Sequence, residues 1–421
     1  MPMVRFFLVN SNGILFSKTA QVNVGGLVAS TLDISNEDFL SGKYHFNGAS
    51  IASIVNQGKI KTAEGGAVAL IAAKIENSGE ISSPQGNVLM GAGNSVVLDL
   101  GGSVKISVDK GALNALIKQG GAIKADGGLI YLTAKAANEL SKSVINNSGV
   151  IEASSISVNE KGEIYLVSDK EKGVVNVDGK ISAKGGFVET SGAEVKIKDT
   201  ANITAGKWLI DPRDFTIAPE GGDVTGLTLS NSLQSGDVTI QSSSGATEGN
   251  GDIFVKDDIT WSSGHTLTLS AYRNIEILST IDASQGSGGK VVLEYGQGSS
   301  DGTINGKEAT YSFGLTGMGF IGKINLQAGQ NFSTKLGSNG QTINYSVITS
   351  LGQEGDEDGD TTNSLQGLAN TSISKRYGNY ALGADIDASD TQNWNGGAGF
   401  SPIGPSFQNA FLVSLMDLGI R

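Results

Sequence analysis

The chain contains one phrase written twice in succession. Residues Val55 to Leu70 read V-N-Q-G-K-I-K-T-A-E-G-G-A-V-A-L, and Ile75 to Leu89 read I-E-N-S-G-E-I-S-S-P-Q-G-N-V-L. Asn56 aligns with Asn77, Gly58 with Gly79 and Ile60 with Ile81, a step of 21 residues. That step is too short for a domain and suits one winding of a coil. In each copy a glycine turn leads into a short strand with Ile pointing inward, and a second glycine turn leads into an alternating strand (Val68, Leu70; then Val88). Neither strand can bury its apolar side alone. Stacking the copies at the strand spacing of about 4.8 Å buries a continuous core. The repeat therefore predicts an all-β chain, a right-handed parallel β-helix with short helical inserts.

Composition agrees. A globular chain of 421 residues would divide into two or three domains of roughly 150 residues each, whereas a solenoid grows along one axis. Gly is 60 of 421 and Pro only 6, with 17% charged and 38% hydrophobic residues. A disordered Gly-rich chain carries more Pro and charge, so the surplus glycine belongs to turns. The absence of cysteine excludes disulfides, thiol catalysis and Cys-ligated zinc, and is compatible with a chain that crosses a membrane unfolded as well as with the cytosol. A net charge of −12 repels nucleic acid and anionic lipid. No stretch reaches the run of about 18 apolar residues that a membrane-spanning helix needs.

From the start, Phe6 to Val9 and Ile14 to Phe16 read as two strands joined by Asn10-Ser11-Asn12-Gly13, a turn in which Asn-Gly tolerates positive φ. The run from Phe7 to Ile34, F-L-V-N-S-N-G-I-L-F-S-K-T-A-Q-V-N-V-G-G-L-V-A-S-T-L-D-I, resembles the haemagglutination-activity domain of the filamentous-haemagglutinin family. In those exoproteins the domain directs two-partner secretion, and an N-P-N-G-[IL] motif stands where Asn10, Ser11, Asn12, Gly13 and Ile14 stand here. Ser11 replaces the proline, which keeps the Asn-Gly turn and removes a fixed φ. Met1 to Leu15 has no signal-peptide pattern. The resemblance thus implies a chain that starts inside its secretion domain.

Leu32 to Leu40, with Ser35 three residues before Asp38, predicts a capped helical turn. Asp109 to Lys118 and Ala134 to Val144 carry Ala and Leu at helical spacing and predict two further helical inserts. Between them the repeat returns with Ile123, Ile151, Ile181 and Ile203, at steps of 28, 30 and 22 residues. Variable steps with constant strand wording mean loops of different length on a fixed coil. Calcium-binding repeats need an aspartate at a regular step, and none recurs, so the Asn-x-Gly turns read as structural and no metal or cofactor is expected.

Trp208 to Ile217 (W-L-I-D-P-R-D-F-T-I) breaks the composition. Its wording resembles the junction that follows the secretion domain in adhesins of the same family. Asp211, Arg213 and Asp214 read as a turn with local ion pairing. The expected division is a partial secretion domain over 1–205, a junction over 206–219, a β-helical stem over 220–345, the start of a Gly-rich β-repeat over 346–404, and an atypical, out-of-frame tail over 405–421. The acidic run Glu354 to Asp360 lacks EF-hand spacing and reads as a solvated loop.

The resemblance implies part of a large adhesin, secreted or held on the surface of a Gram-negative bacterium. Its implied partners are an outer-membrane two-partner secretion pore with periplasmic POTRA domains and a receptor on host or bacterial cells. Two alternatives stand beside it: a β-helical polysaccharide lyase or hydrolase, and the stem of a contact-dependent growth-inhibition toxin. The enzymatic alternative needs paired carboxylates or a poised base over a groove. With only His45 and His265 and five scattered arginines, a non-enzyme is expected.

Overall fold

The computed structural model describes residues 4–100, 105–137, 141–155, 157, 161–244, 249–317, 319–356, 364–369, 378–400, 403 and 415–419. Residues 357–360 of the acidic run and most of the 405–421 tail lie outside the described residues.

The fold is all-β and dominated by parallel pairing. Strand β1 (Arg5–Val9) leads through the Asn10–Gly13 turn into β2 (Ile14–Phe16), β3 (Gln21–Val24) and β4 (Gly26–Ser30); β2 and β3 each begin a separate stack, while β4 lies parallel on β1 and continues its stack. On β2 lies a seven-stranded sheet continuing through Ser53–Asn56, Lys74–Asn77, Leu116–Gln119, Ser143–Asn147, Gly173–Val177 and Glu194–Ile197. On β3 the partners are Lys59–Thr62, Glu80–Ser82, Ala122–Lys124, Val150–Glu152 and the opening residues of Lys180–Ser191 and Asn202–Asp211. The repeat read from sequence is present in full register. Val22, Ile60, Ile81, Ile123, Ile151, Ile181 and Ile203 are successive Cα partners, and the isoleucines are buried.

The stack on β4 is the longest. Leu27, Val68, Val88, Ile130, Ile164, Val188, Trp208, Val238, Leu267, Val291 and Phe332 form one inward column. Trp208 is therefore a core residue, 2% exposed. The strand Asn202–Asp211 runs into the junction segment and ends directly before Pro212, which has no N–H to give a ladder. Beyond it the strands Asp237–Gln241, Ile253–Val255, Thr266–Ser270, Ile275–Ile277 and Lys323–Leu326 pair in parallel. Gly329–Leu336 is parallel to Lys290–Tyr295 on one side and antiparallel to Ile343–Ile348 on the other, and parallel pairing resumes between Ile343–Ile348 and Tyr380–Leu382. The described part of the tail, Leu415–Asp417, adds to that sheet beside Tyr380–Leu382.

Three features depart from the sequence reading. Helix α1 (Asn36–Leu40) forms as expected, with the Ser35 hydroxyl accepting from the Asp38 amide at 3.0 Å. The two other helical inserts do not form among the described residues. Asp109 and Lys110 close the strand Ile106–Lys110, and Leu116–Gln119 is a strand with Ile117 paired to Ile75 and Ile145. Ala134 ends one strand and Ser143 begins the next, with 138–140 outside the described residues. Register in the ladder and burial of Ile117 and Ile145 outweigh the helix preference of Ala and Leu, which tertiary context readily overrides. An unexpected helix, α2 (Gly226–Leu233), is capped by Thr225 and buries Leu229 and Leu233.

The third departure is a cover. Asp33–Ile34, Tyr44–Asn47, Ser95–Leu98 and Ile106–Lys110 form an antiparallel sheet packed on the outer side of β4, Ala67–Ala72 and Asn87–Ala92. Its Phe46, Val96, Leu98 and Ile106 bury Val28, Ala69, Ile71 and Leu89 in a second core. The excursion through Ser95–Lys110 separates Ile81 from Ile123 by 42 residues, two repeat lengths, while the two remain direct partners. No helix among the described residues is long and apolar enough to cross a membrane.

Candidate functional site

The segment singled out by sequence, Asn10 to Ile14, joins β1 to β2. It is a hydrogen-bonded reversal: the Asn10 carbonyl accepts from the Gly13 amide at 3.1 Å, and the Asn10 side-chain oxygen accepts from the Asn12 amide at 3.0 Å. Gly13 has φ +108°, and a Cβ there would lie 3.2 Å from the Ser53 carbonyl oxygen, so glycine is required. Ile14 returns to the interior and pairs with Ile54. Asn10, Ser11 and Asn12 are exposed. Beside them lies a shallow depression of about 530 Å³ bordered by Ser11, Asn12, Thr31, Asp33, Ser50 and Ile51.

A side chain from the next winding anchors this turn. The Ser50 hydroxyl donates to the Ser11 carbonyl at 2.6 Å, tying the reversal to the next winding. Ser11 is the second residue of a β-turn closed by the Gly13 amide on the Asn10 carbonyl, a position that favours proline. Ser11→Pro is therefore expected to stabilise the turn by about 0.4–1 kcal/mol, chiefly by restricting the unfolded chain. A thermal melt that falls for this variant would refute that reading of the turn.

The aligned Asn56 and Asn77 belong to a buried amide ladder whose third rung was not anticipated. Asn56 Nδ2 donates to Asn77 Oδ1 at 2.7 Å, and Asn77 Nδ2 donates to Gln119 Oε1 at 2.7 Å. Gln119 Nε2 passes on to the Gly121 carbonyl at 3.0 Å. These amides fill the corner after the β2 sheet and satisfy one another, as buried polar groups must. The signal lay in the sequence as N-Q-G, N-S-G and Q-G-G before each turn; only the register shows that they touch.

Groups that could carry chemistry are dispersed. His45 Nε2 lies 2.9 Å from Ser95 Oγ and 3.9 Å from Asp109 Oδ2. A nucleophile relay uses both ring nitrogens, one toward the hydroxyl and one toward the carboxylate. Here both contacts fall on one nitrogen, and Ser95 is 2% exposed. On the outer side of the long stack Tyr131 and Tyr165 stack at 5.1 Å, with Phe187 5.5 Å from Tyr165. Burial, then Glu163 and Glu189, push the Tyr165 phenol up, and burial followed by Glu189 does the same to Tyr131. Both therefore stay protonated hydrogen-bond donors. No group of three or more His, Asp or Glu able to hold a metal occurs among the described residues.

The junction charges are ordered, but their partners are not local as expected. Asp211 pairs with Lys170, and Arg213 Nη2 pairs with Glu171 Oε2 at 3.0 Å, both from a winding 41–42 residues earlier. Asp214 Oδ1 accepts from the amides of Asn250, Gly251 and Asp252 at 2.7–3.0 Å. Asp252 in turn holds Arg273. Each acid and base ties one winding to another, which explains their clustering without a reaction.

Comparison with known proteins places the secretion reading on firmer ground. Residues 3–183 match the family of the TPS secretion domain. A heme/hemopexin-binding protein of Haemophilus influenzae strain ATCC 51907 / DSM 11121 / KW20 / Rd is 27% identical over 211 residues, 47% of this chain and 22% of that protein. A second heme/hemopexin-binding protein of Haemophilus influenzae is 24% identical over 228 residues, 48% of this chain and 24% of that protein. The chain thus spans under a quarter of the length of the curated relatives it matches. Among solved structures, the secretion domain of HMW1 from Haemophilus influenzae aligns with a TM-score of 0.45 and 24% identity, covering 69% of this chain and 75% of that one.

Proposed function

We propose that this chain, whose residues 3–183 belong to the TPS secretion domain family of two-partner secretion exoproteins, is an adhesin passenger built on a right-handed parallel β-helix. Proteins carrying this domain are exported to the cell surface or released. Residues 1–205 act as the secretion domain, 206–219 as the junction, 220–345 as a stem, 346–404 as the beginning of a Gly-rich β-repeat and 405–421 as an atypical tail. The Asn10–Ile14 turn is the secretion motif, read by an outer-membrane pore through its periplasmic POTRA domains in a Gram-negative cell. The rod beyond it displays surface for attachment to host or bacterial cells and carries out no reaction.

One observation carries this reading: every winding from β3 to Asn202 repeats the same inward position in register. A chain made of such windings can leave a pore extended and add them one at a time, because each new strand finds its partner already in place. With no cysteine, no disulfide obstructs passage. Haem or hemopexin binding is not carried over to this chain, since less than a quarter of those relatives is shared.

The test is export. With a signal peptide attached and a cognate pore co-expressed, the chain should reach the medium or the cell surface. Gly13→Val, which cannot adopt the turn's φ, should cut the exported amount by about tenfold or more while pore levels stay equal. Equal export with and without the pore would overturn the assignment.

A further inference from the structure

Ion pairing accounts for where Lys170 and Asp211 lie, but it leaves one atom over. Asp211 Oδ2 is held by Lys170, whereas Asp211 Oδ1 is buried and has no hydrogen-bond partner. A buried carboxylate oxygen without a donor is costly and calls for a reason. The chain beside it supplies one. Asp211 is followed by Pro212, and of the six prolines this one alone follows an aspartate. The nitrogen of that peptide bond carries no hydrogen, so it gives nothing to the ladder that would hold it in place.

The carbonyl of the same bond is polarised. The Asp211 carbonyl oxygen accepts from the Gly192 amide at 3.2 Å and from Lys170 Nζ at 3.2 Å. The first is an ordinary ladder bond; the second adds a positive charge. Two donors aimed at one carbonyl oxygen stabilise the negative charge that builds there when a nucleophile adds to the carbon. Past the bond, the Pro212 carbonyl accepts from the Ser243 amide at 3.0 Å and from the Ser243 hydroxyl at 3.2 Å. Different windings thus hold the Asp211–Pro212 bond from its two ends, which keeps carboxylate, carbonyl and ammonium in one arrangement.

We propose that the Asp211–Pro212 peptide bond cleaves itself in the folded chain. Asp211 Oδ1 adds to the Asp211 carbonyl carbon and closes a five-membered cyclic anhydride. The C–N bond to Pro212 breaks, and the nitrogen takes a proton from the Lys170 ammonium, so that Pro212 leaves as a secondary amine. Water then adds to the anhydride and gives Asp211 a free α-carboxylate beside its side-chain carboxylate. The two protons released return one to Lys170 and one to the new proline amine. One water is consumed and one peptide bond is broken. The step happens once, within the chain, and acts on no other substrate. It falls in the 206–219 junction and divides the chain into 1–211 and 212–421, which stay paired through the ladder of Asn202–Asp211 with Asp237–Gln241. The inference does not rest on the export assignment and can fail without it.

Intact-mass spectrometry of the purified full chain, kept folded at neutral pH and denatured only before injection, is the measurement. Fragments 1–211 and 212–421 should appear together over time, with masses that sum to the parent plus one water. Asp211→Asn should remove the nucleophile and the fragments with it. Lys170→Arg keeps a positive charge beside Asp211 but cannot give up a proton. It should slow cleavage by about a hundredfold or more, with circular dichroism matching the parent. The parent unfolded in urea should cleave at least about tenfold more slowly than the folded chain. Absence of the fragment pair would overturn the proposal, as would cleavage equally fast in urea or an undiminished rate in Lys170→Arg. So would a stable loss of one water localised to Lys170 and Asp211, the mark of an amide between them.

Discussion

Ile81→Asp should cost about 5 kcal/mol or more and open the windings on both sides of it. Ile81 is fully buried and lies between Ile60 and Ile123. An aspartate there has no cation and no amide donor to replace water, so its carboxyl is held protonated rather than charged. That fixes the pH dependence. The folded-state pKa of the new carboxyl lies above its unfolded value, so the native state holds the proton more tightly and stability falls as pH rises. The variant should be less unstable at pH 4 than at pH 7, while Ile81→Val should cost about 1 kcal/mol with no new pH dependence. Hydrogen exchange resolved along the chain is the measurement. Protection should fall first for residues 53–62, 74–82 and 116–124, and unchanged protection there would refute the column.

Gly121→Ala should cost about 3 kcal/mol or more, although a single methyl is added. The reason is not backbone conformation. A Cβ at Gly121 would sit 2.1 Å from the Gly79 carbonyl oxygen, and Gly79 and Gly149 meet the neighbouring winding's glycine carbonyl at 2.1 and 2.2 Å. These atoms are backbone on backbone, held by ladders on both sides, and cannot yield as a flexible side chain would. Gly42, which has nothing within 4 Å of its Cβ but a φ of +73°, is the contrast. Gly42→Asn should be tolerated, since asparagine adopts the left-handed region. Equal losses at both positions would show that conformation and not close approach sets the cost.

These two effects mark what could and could not be read from the sequence. Ile60, Ile81, Ile123, Ile151, Ile181 and Ile203 were legible because a spacing survives any loop inserted between its members. Ser35 before Asp38 was legible because a cap is a local bond. The glycine surplus was assigned to turns, which is where these residues lie, but the carbonyl facing each one belongs to another winding and appears in no local pattern. The cover sheet had a signal that alternation obscured. Ala67 to Ala72 reads A-V-A-L-I-A and Asn87 to Ala92 reads N-V-L-M-G-A, with apolar residues on both sides of the strand. Such runs need cover on the outer side too. Asp109 to Lys118 and Ala134 to Val144 carry a helical pattern that is local, whereas the ladder that Ile117 and Ile145 complete is not. The Asn10–Ile14 turn was legible as a reversal, while its anchor, Ser50, lies 39 residues away from Ser11 and could not be inferred.

Because the chain contains no cysteine, register can be tested by introducing two. Val150 and Lys180 are outward-facing Cα partners in adjacent windings, within disulfide reach at the spacing of neighbouring strands, about 4.8 Å. Val150→Cys combined with Lys180→Cys should form an intramolecular disulfide on mild oxidation of the folded chain. Val150→Cys combined with Asp178→Cys, two residues out of register, should remain largely reduced under the same conditions. Preferential cross-linking of the second pair, or of neither, would contradict in-register parallel stacking as the organising principle of this molecule.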